Sequence, residues 1–236
     1  MGLSVASDML DAYAKMHGGF RVFDFSQAKA FQLGDPTQVD QGKTYKMVMR
    51  NGKPMGGVCA TLCAFWVAFH SSQDTGFGKD FTKGRSVWDY LFSNGGMNIG
   101  AATNITVEHH LSSGNQINYF EGFLKKFRVV KRAKITSGTH LQVTLPLSQT
   151  RLIAIANAIV KSKGGYKLIS LKKNAGGGHM VAAFVGDDVL YMDPNYGEFW
   201  LPNAKAFRAW WLFMIDNTNV KSYDSVIVRE YGVAAS

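Results

Sequence analysis

Residues 174–199 have the sequence NAGGGHMVAAFVGDDVLYMDPNYGEF, which decides the fold of the last third of the chain. The segments 180–185 and 189–193 are rich in β-branched and aromatic residues, a composition typical of short strands. The GDD triplet at 186–188 between them is a turn signal. The sequence therefore predicts an antiparallel β-hairpin.

Two polar side chains frame this hairpin, because His179 opens its first strand and Asp193 closes its second. If a three-residue loop joins the strands, Val185 pairs with Val189 and Val181 with Asp193. His179 and Asp193 then lie on one face as diagonal neighbours, about 7–8 Å apart at the backbone. That separation is within reach of a His–carboxylate hydrogen bond. A two-residue loop would put the two side chains on opposite faces, so their contact is a prediction about register.

The two cysteines of the chain, Cys59 and Cys63, lie in the stretch 56–66, GGVCATLCAFW. This stretch predicts a loop followed by a strongly apolar helix that begins near Cys59. Unpaired N–H groups and the helix dipole at such a position favour a thiolate and can bind a developing oxyanion. Free cysteine is also often a buried core residue, which is the expectation for Cys63 one turn further on. For Cys59, the helix position alone leaves both interpretations open.

Together these residues supply the three parts of a nucleophilic triad. Cys59 would be the nucleophile, and His179 would take its proton and later protonate the leaving group. Asp193 would hold the imidazole tautomer and stabilise its cation. The three glycines before His179 would let a substrate backbone come close.

The motifs GVCATLCAFW, GGGHMVAAF and YMDPNYGEF, in the order Cys, His, Asp, resemble those of the YopT/AvrPphB-type cysteine proteases. These enzymes are papain-like bacterial effectors, and the resemblance is concentrated in three motifs within residues 57–199. It implies a triad of Cys59, His179 and Asp193 and hydrolysis of a peptide bond in a host protein. Separately, we expect no cofactor and no metal. Family members cut isoprenylated Rho-type GTPases or host kinases, which implies a substrate of that kind.

The sequence just before Cys59, where papain-like enzymes carry a side chain of the oxyanion hole, departs from the papain pattern. Papain-like enzymes place an amide side chain a few residues before the cysteine, whereas residues 54–58 are PMGGV. The nearest upstream amide is Asn51, which would serve only if the loop folds back. The backbone N–H of Cys59 is the safer donor in this hypothesis.

The order of predicted elements favours an α+β, papain-like fold in a single catalytic domain, 1–236. A mainly helical part, 1–163, would carry the nucleophile at a helix N-terminus, and a mostly antiparallel sheet part, 164–236, would carry His179 and Asp193. Helices are expected at 4–16, 59–70, 87–92, 104–111, 117–127, 147–160 with Ser148 as N-cap, and 204–215; strands are expected at 20–25, 45–50, 166–171, 180–185, 189–193, 198–201 and 225–230.

The net charge, the cysteine count and the N-terminal sequence give expectations about binding partners and cellular location. The net charge of +9 favours encounter with anionic surfaces without choosing among them. Two cysteines are too few for a disulfide framework. The N-terminus lacks the pattern of a Sec-type signal peptide, and no stretch is long and apolar enough to span a membrane. The family resemblance implies secretion by a bacterium and action in the host-cell cytoplasm.

The segment from Lys125 to Lys134, KKFRVVKRAK, concentrates six basic residues. Its first interpretation is an edge strand that lysines protect from aggregation. Its functional interpretation is contact with anionic lipid at the inner face of the host membrane, where a prenylated substrate would lie. Nucleic-acid binding is not expected, because the aromatic pattern of a stacking platform is missing.

Two alternative functions are also compatible with the residues Cys59, His179 and Asp193. A deamidase or transglutaminase would use the same triad on a glutamine. A catalytically silent module would bind a host protein even after Cys59→Ala. The Glu108-His109-His110 fragment does not have the spacing of a zinc motif, so we expect no metal there.

Overall fold

The computed structural model describes residues 3–31, 57–75, 82, 84–93, 96–112, 115–132, 141–144 and 149–234. The chain divides into two compact units. The first, called here the sheet unit, contains Met1–Asp24 and Lys131–Gly232. The second, the helical unit, contains Phe25–Val130 and Val233–Ser236.

Most of the expected elements are present in the described residues. The helices are α1 (Leu3–Met16), α2 (Gln27–Ala30), α3 (Cys59–Thr75), α4 (Val87–Leu91), α5 (Ile99–Leu111), α6 (Gln116–Lys125), α7 (Gln149–Val160) and α8 (Ala204–Asn217), with a 3₁₀ helix at Asn219–Ser222. The strands are β1 (Phe20–Phe23), β2 (Phe92–Ser93), β3 (Gly96–Met97), β4 (Val129–Lys131), β5 (Leu141–Thr144), β6 (Gly165–Lys172), β7 (Gly178–Val185), β8 (Val189–Asp193), β9 (Gly197–Leu201) and β10 (Ser225–Val233). The elements α2, β2, β3 and β5 were not predicted. The expected strand at 45–50 and the Ser148 cap lie outside the described residues.

The sheet unit is built on an antiparallel sheet with the strand order β1-β9-β8-β7-β6-β10, and β5 also pairs with β10. Alternate residues along these strands face one side, since side chains of a strand alternate between faces. Those residues form the core of the unit with α1, α7 and α8; from the strands they include Ile169, Leu171, Val181, Ala183, Tyr191, Phe199 and Val226. The predicted antiparallel sheet is confirmed.

Helix α8 closes this core. Asn203 caps it by accepting hydrogen bonds from the N–H groups of Lys205 and Ala206, which orients the first turn. The buried Trp210 donates its indole N–H to the carbonyl of Leu10, 3.0 Å away, and so ties α8 to α1. The sheet is thereby covered on the face that carries the core.

The helical unit is organised around α3. Every residue from 58 to 69 is buried, as expected for a helix that is apolar on all sides and lies inside its unit. Helix α3 packs against α4, α5 and α6. The Phe65 ring lies 5.1 Å from that of Phe123 and 6.2 Å from that of Tyr90, centroid to centroid. This packing fixes the position of Cys59, the first residue of the helix.

No helix in the described part of the chain combines the length and the apolar character needed to cross a membrane.

Candidate active site

The hairpin of β7 and β8 has the predicted register. Val185 pairs with Val189 and Ala182 with Met192, so a three-residue loop joins the strands. Within the loop the Gly186 N–H donates to the carbonyl of Asp188, 2.9 Å away. The strand ends that carry His179 and Asp193 are therefore brought together on one face.

His179 and Asp193 form a buried pair. Nε2 of His179 lies 2.8 Å from Oδ1 of Asp193, and the two residues are 5% and 1% exposed. Hydrogen bonds to charged groups are strong in such a water-poor setting, so this bond fixes the orientation of the ring. With Nε2 directed at the carboxylate, proton exchange with a nucleophile falls to Nδ1.

The turn after β8 positions the carboxylate of Asp193. The Asn195 N–H donates to Asp193 Oδ1 over 2.8 Å, and the Tyr196 N–H donates to the Asp193 carbonyl over 3.1 Å. Gly197 has a φ of 100°, which a glycine adopts without strain. The string D-P-N-Y-G is thus the sequence of a tight turn that holds the carboxylate toward His179.

Cys59 belongs to the helical unit and is the first residue of α3, as predicted. The Leu62 N–H donates to the Val58 carbonyl over 2.9 Å and closes the first turn of the helix. Cys59 is 9% exposed, and its Sγ lies 3.9 Å from the Gly57 carbonyl oxygen. Cys63 is 0% exposed and packs in the core, as expected.

The structure adds one polar group that sequence reasoning missed, the carboxamide of Gln27 in α2. Gln27 is 4% exposed, and a Cβ added at Gly57 would lie 2.8 Å from its Oε1 and 3.0 Å from its Nε2. A side chain at position 57 would therefore displace the carboxamide. The glycine two residues before Cys59 was the available signal, because such a glycine often marks the close approach of another group. The predicted oxyanion candidate, Asn51, lies outside the described residues.

The Glu108-His109-His110 fragment takes part in contacts within the helical unit. His109 Nδ1 lies 3.2 Å from Thr61 Oγ1, and the Tyr119 hydroxyl donates to Glu108 over 2.5 Å. Burial, together with that hydrogen bond, raises the pKa of Tyr119 to about 12. Within the described ranges, no group of three or more His, Cys, Asp or Glu side chains is placed to hold a metal ion.

The basic segment 125–134 is only partly described. Lys125 and Lys126 are exposed at the end of α6, and β4 follows. Arg132 Nη1 lies 2.9 Å from Glu230 Oε1, so this charge is engaged inside the sheet unit. Lys134 lies outside the described residues.

The sequence and the fold both have recognisable relatives. The Peptidase_C58 family model, described as "Yersinia/Haemophilus virulence surface antigen", matches residues 11–225. "Cysteine protease YopT" of Yersinia pestis is 24% identical over 208 residues, which is 82% of this chain and 57% of YopT. "Protein adenylyltransferase and cysteine protease IbpA" of Histophilus somni (strain 2336) is 25% identical over 213 residues, 86% of this chain and 5% of IbpA. The chain thus spans little more than half the length of YopT.

The crystal structure of the Pseudomonas avirulence protein AvrPphB shares the fold. It superposes with a TM-score of 0.51 at 18% identity, covering 75% of this chain and 92% of AvrPphB. The predicted α+β, papain-like fold class is confirmed by this match and by the antiparallel sheet.

Proposed function

The chain belongs to the Peptidase_C58 family, and from this premise we propose that it is a cysteine endopeptidase with Cys59, His179 and Asp193 as its triad. The observation that carries the proposal is the buried hydrogen bond of 2.8 Å between His179 and Asp193. A histidine oriented in this way is the general base that a cysteine nucleophile requires. In this proposal the sheet unit and the helical unit together make one catalytic domain.

The proposed reaction begins with transfer of the Cys59 thiol proton to Nδ1 of His179. The thiolate then attacks the peptide carbonyl carbon, and the carbonyl oxygen becomes an oxyanion. When this intermediate collapses, the C–N bond breaks and His179 gives its proton to the leaving amine. A water then attacks the thioester, returning its proton through His179, and releases the acid and the free thiol. Asp193 keeps the proton on Nε2 throughout and stabilises the imidazolium.

We assign the oxyanion donors to the backbone N–H of Cys59 and the carboxamide N–H of Gln27. The first belongs to the initial turn of α3, where N–H groups have no intrahelical partner. The second is supported by the close approach of the Gln27 carboxamide to Gly57, two residues before the nucleophile. Such donors stabilise the charge that develops on the carbonyl oxygen.

The proposed substrate is a host protein, such as a prenylated Rho-type GTPase or a kinase, and the proposed setting is the host-cell cytoplasm after secretion by a bacterium. The resemblance to virulence-associated relatives supports this setting. The exposed Lys125 and Lys126 and the net charge of +9 support approach to an anionic membrane surface.

The test compares the protein with its Cys59→Ala variant in a eukaryotic cell lysate, using peptide mass spectrometry of labelled amino termini. New termini that only the unchanged protein generates would support an endopeptidase. Glutamines that gain about one mass unit or become crosslinked, without new termini, would instead identify a deamidase or transglutaminase. No chemical change in either sample, with host proteins retained equally by both, would identify a silent binding module.

A further inference from the structure

We propose that Lys173 and Tyr223 select an acidic side chain on the residue that directly follows the cleaved bond. This inference rests on the proposed function, because it uses the role of His179 as the acid that protonates the leaving amine. It names a preference of the substrate that neither the family nor the fold assigns.

The position of the leaving group follows from proton transfer. To receive a proton from His179, the leaving amine must lie within hydrogen-bond reach of the imidazole, about 3 Å away. That amine is the backbone nitrogen of the first residue after the cleaved bond. The side chain of that residue must therefore lie beside the groups that neighbour His179 in the sheet unit.

Tyr223 is one such neighbour. Its ring centroid lies 6.3 Å from that of His179, with an angle of 22° between the ring planes. The ring is half-buried and packs against the core of the sheet unit. A flat aromatic surface beside the imidazole can hold a substrate side chain in place at a small entropic cost.

Lys173 supplies the charge. It is exposed in the loop between β6 and β7, and its Nζ lies over the Tyr223 ring, 5.2 Å from the centroid. A cation over a ring face is held by the ring quadrupole while its N–H donors stay available for other partners. An ammonium group near the first residue after the cut favours a carboxylate there and disfavours a lysine or arginine.

Backbone hydrogen bonds hold these two side chains in position. The Asp224 N–H donates to the Lys172 carbonyl over 2.7 Å, and the Asn174 N–H donates to Asp224 Oδ2 over 2.5 Å. The Lys173 N–H donates to the Gly177 carbonyl over 3.2 Å and closes the loop on itself. The segment that carries Tyr223 is thus tied to the loop that carries Lys173, which preorganises the subsite.

The charges around Lys173 and Tyr223 also favour an acidic substrate side chain. Lys173 is the exposed cation of this loop, because Lys172 is the last residue of β6 and, by strand alternation, faces away from the side of the sheet that carries His179. The carboxylate of Asp224 accepts the Asn174 N–H, and that of Asp193 is buried against His179. A substrate carboxylate would therefore meet the exposed ammonium group of Lys173, while each of these two carboxylates accepts a hydrogen bond or ion pair of its own.

The amino-terminal labelling experiment in a eukaryotic lysate tests this directly, since each new terminus is the residue after the cut. We expect Asp and Glu to be enriched among the new termini made by the unchanged protein. In Lys173→Glu their share should fall about fivefold, because an exposed attraction becomes a repulsion. Tyr223→Ala should lower it as well, whereas Tyr223→Phe keeps the ring and should retain it.

Lys205→Glu is the matched control. It makes the same charge change in the first turn of α8, which follows the far end of β9, whereas Asp193 pairs with Gly197 at the beginning of β9. The change should be tolerated, because an acidic residue is favourable near a helix N-terminus. Alkylation of Cys59 by iodoacetamide should proceed at the same rate in Lys173→Glu as in the unchanged protein.

The possible outcomes distinguish failure of the proposed subsite from failure of the proposed peptidase activity. New termini without acidic enrichment, or with equal profiles for Lys173→Glu and Lys205→Glu, would overturn the subsite and leave the peptidase standing. An absence of new termini relative to Cys59→Ala would overturn the proposed function and this inference with it.

Discussion

Nε2 of His179 and Oδ1 of Asp193 lie 2.8 Å apart at the open end of the hairpin formed by β7 and β8, and both residues are almost fully buried. The two residues are not neighbours in the sequence. The three-residue loop between the strands determines the pairing that brings them into contact. The Asn195 N–H donates to the same carboxylate oxygen, so ring, carboxylate and turn form one unit. These hydrogen bonds fix the orientation of the imidazole ring, as the proposed role of His179 as a base requires.

Replacing Asp193 by Asn tests that role. The amide has nearly the same shape but can leave the proton on the wrong ring nitrogen, so kcat should fall by about a hundredfold or more while KM changes little. Peptide hydrolysis and thermal unfolding are the measurements. Asp187→Asn, an exposed change in the same hairpin, should keep full activity. Equal activity of the two variants would remove Asp193 from the mechanism.

The oxyanion assignment predicts the effect of changes at Gln27 and Gly57. Gln27→Ala should lower kcat by about a hundredfold, the usual loss for one oxyanion donor, with little change in KM. Gly57→Ala should act in the same direction, since its Cβ would lie 2.8 Å from the Gln27 Oε1. The two losses should not multiply in the double variant, because both act through one carboxamide. Multiplicative losses would show that the two positions act separately.

A buried ion pair in the sheet unit predicts a stability effect. Lys167 Nζ lies 2.7 Å from Glu230 Oε2, and both side chains are almost fully buried. Burial lowers the pKa of Lys167, and the hydrogen bond and charge of Glu230 oppose that shift. Glu230→Gln should therefore cost about 3 kcal/mol, because it leaves a buried cation without its counter-charge.

Urea unfolding measures this cost, and a second variant shows its cause. Lys167→Met combined with Glu230→Gln should recover most of the loss, since the buried cation is then removed, and Arg132, which also pairs with Glu230, keeps about a third of its side chain in water. If the double variant were as unstable as Glu230→Gln, the loss would come from packing around position 230.

His109 predicts a pH dependence of stability. Burial, with a smaller contribution from the charge of His110, lowers the pKa of His109 below its ordinary value of 6.5. The unfolded chain then binds a proton more readily than the folded one, so stability should be fully present above pH 6.5 and decline as the pH falls below it.

Urea midpoints at pH 7.5 and pH 5.0 check this prediction. His109→Gln should reduce the difference between the two midpoints, because the buried imidazole is then removed. A pH difference that survives in His109→Gln would assign the effect to other groups.

Much of the sheet unit could be predicted because its signals are local. Strand alternation and the GDD turn fix the hairpin register, and that register alone brings Asp193 to His179. The run of apolar residues after Gly57 is likewise enough to predict α3 and its beginning at Cys59.

The proposed oxyanion donor, Gln27, could not be predicted because its position depends on a contact between distant parts of the chain. The Gln27 carboxamide meets Gly57 only once α2 and the start of α3 have packed within the helical unit. Strand β5 was missed for the same reason, since its pairing with β10 joins segments far apart in sequence. Local patterns carry no information about such partners.

The measurement that tests the central claim most directly is the rate of iodoacetamide alkylation of Cys59, followed by peptide mass spectrometry from pH 4 to 9. Cys63, which is fully buried, serves as the internal control. A triad predicts rapid reaction of Cys59 at pH 5–6, well below the pKa of about 8.5 of an ordinary thiol, and loss of that reactivity in His179→Ala. If Cys59 followed the curve of an ordinary thiol, or reacted identically in His179→Ala, the triad of Cys59, His179 and Asp193 would be contradicted.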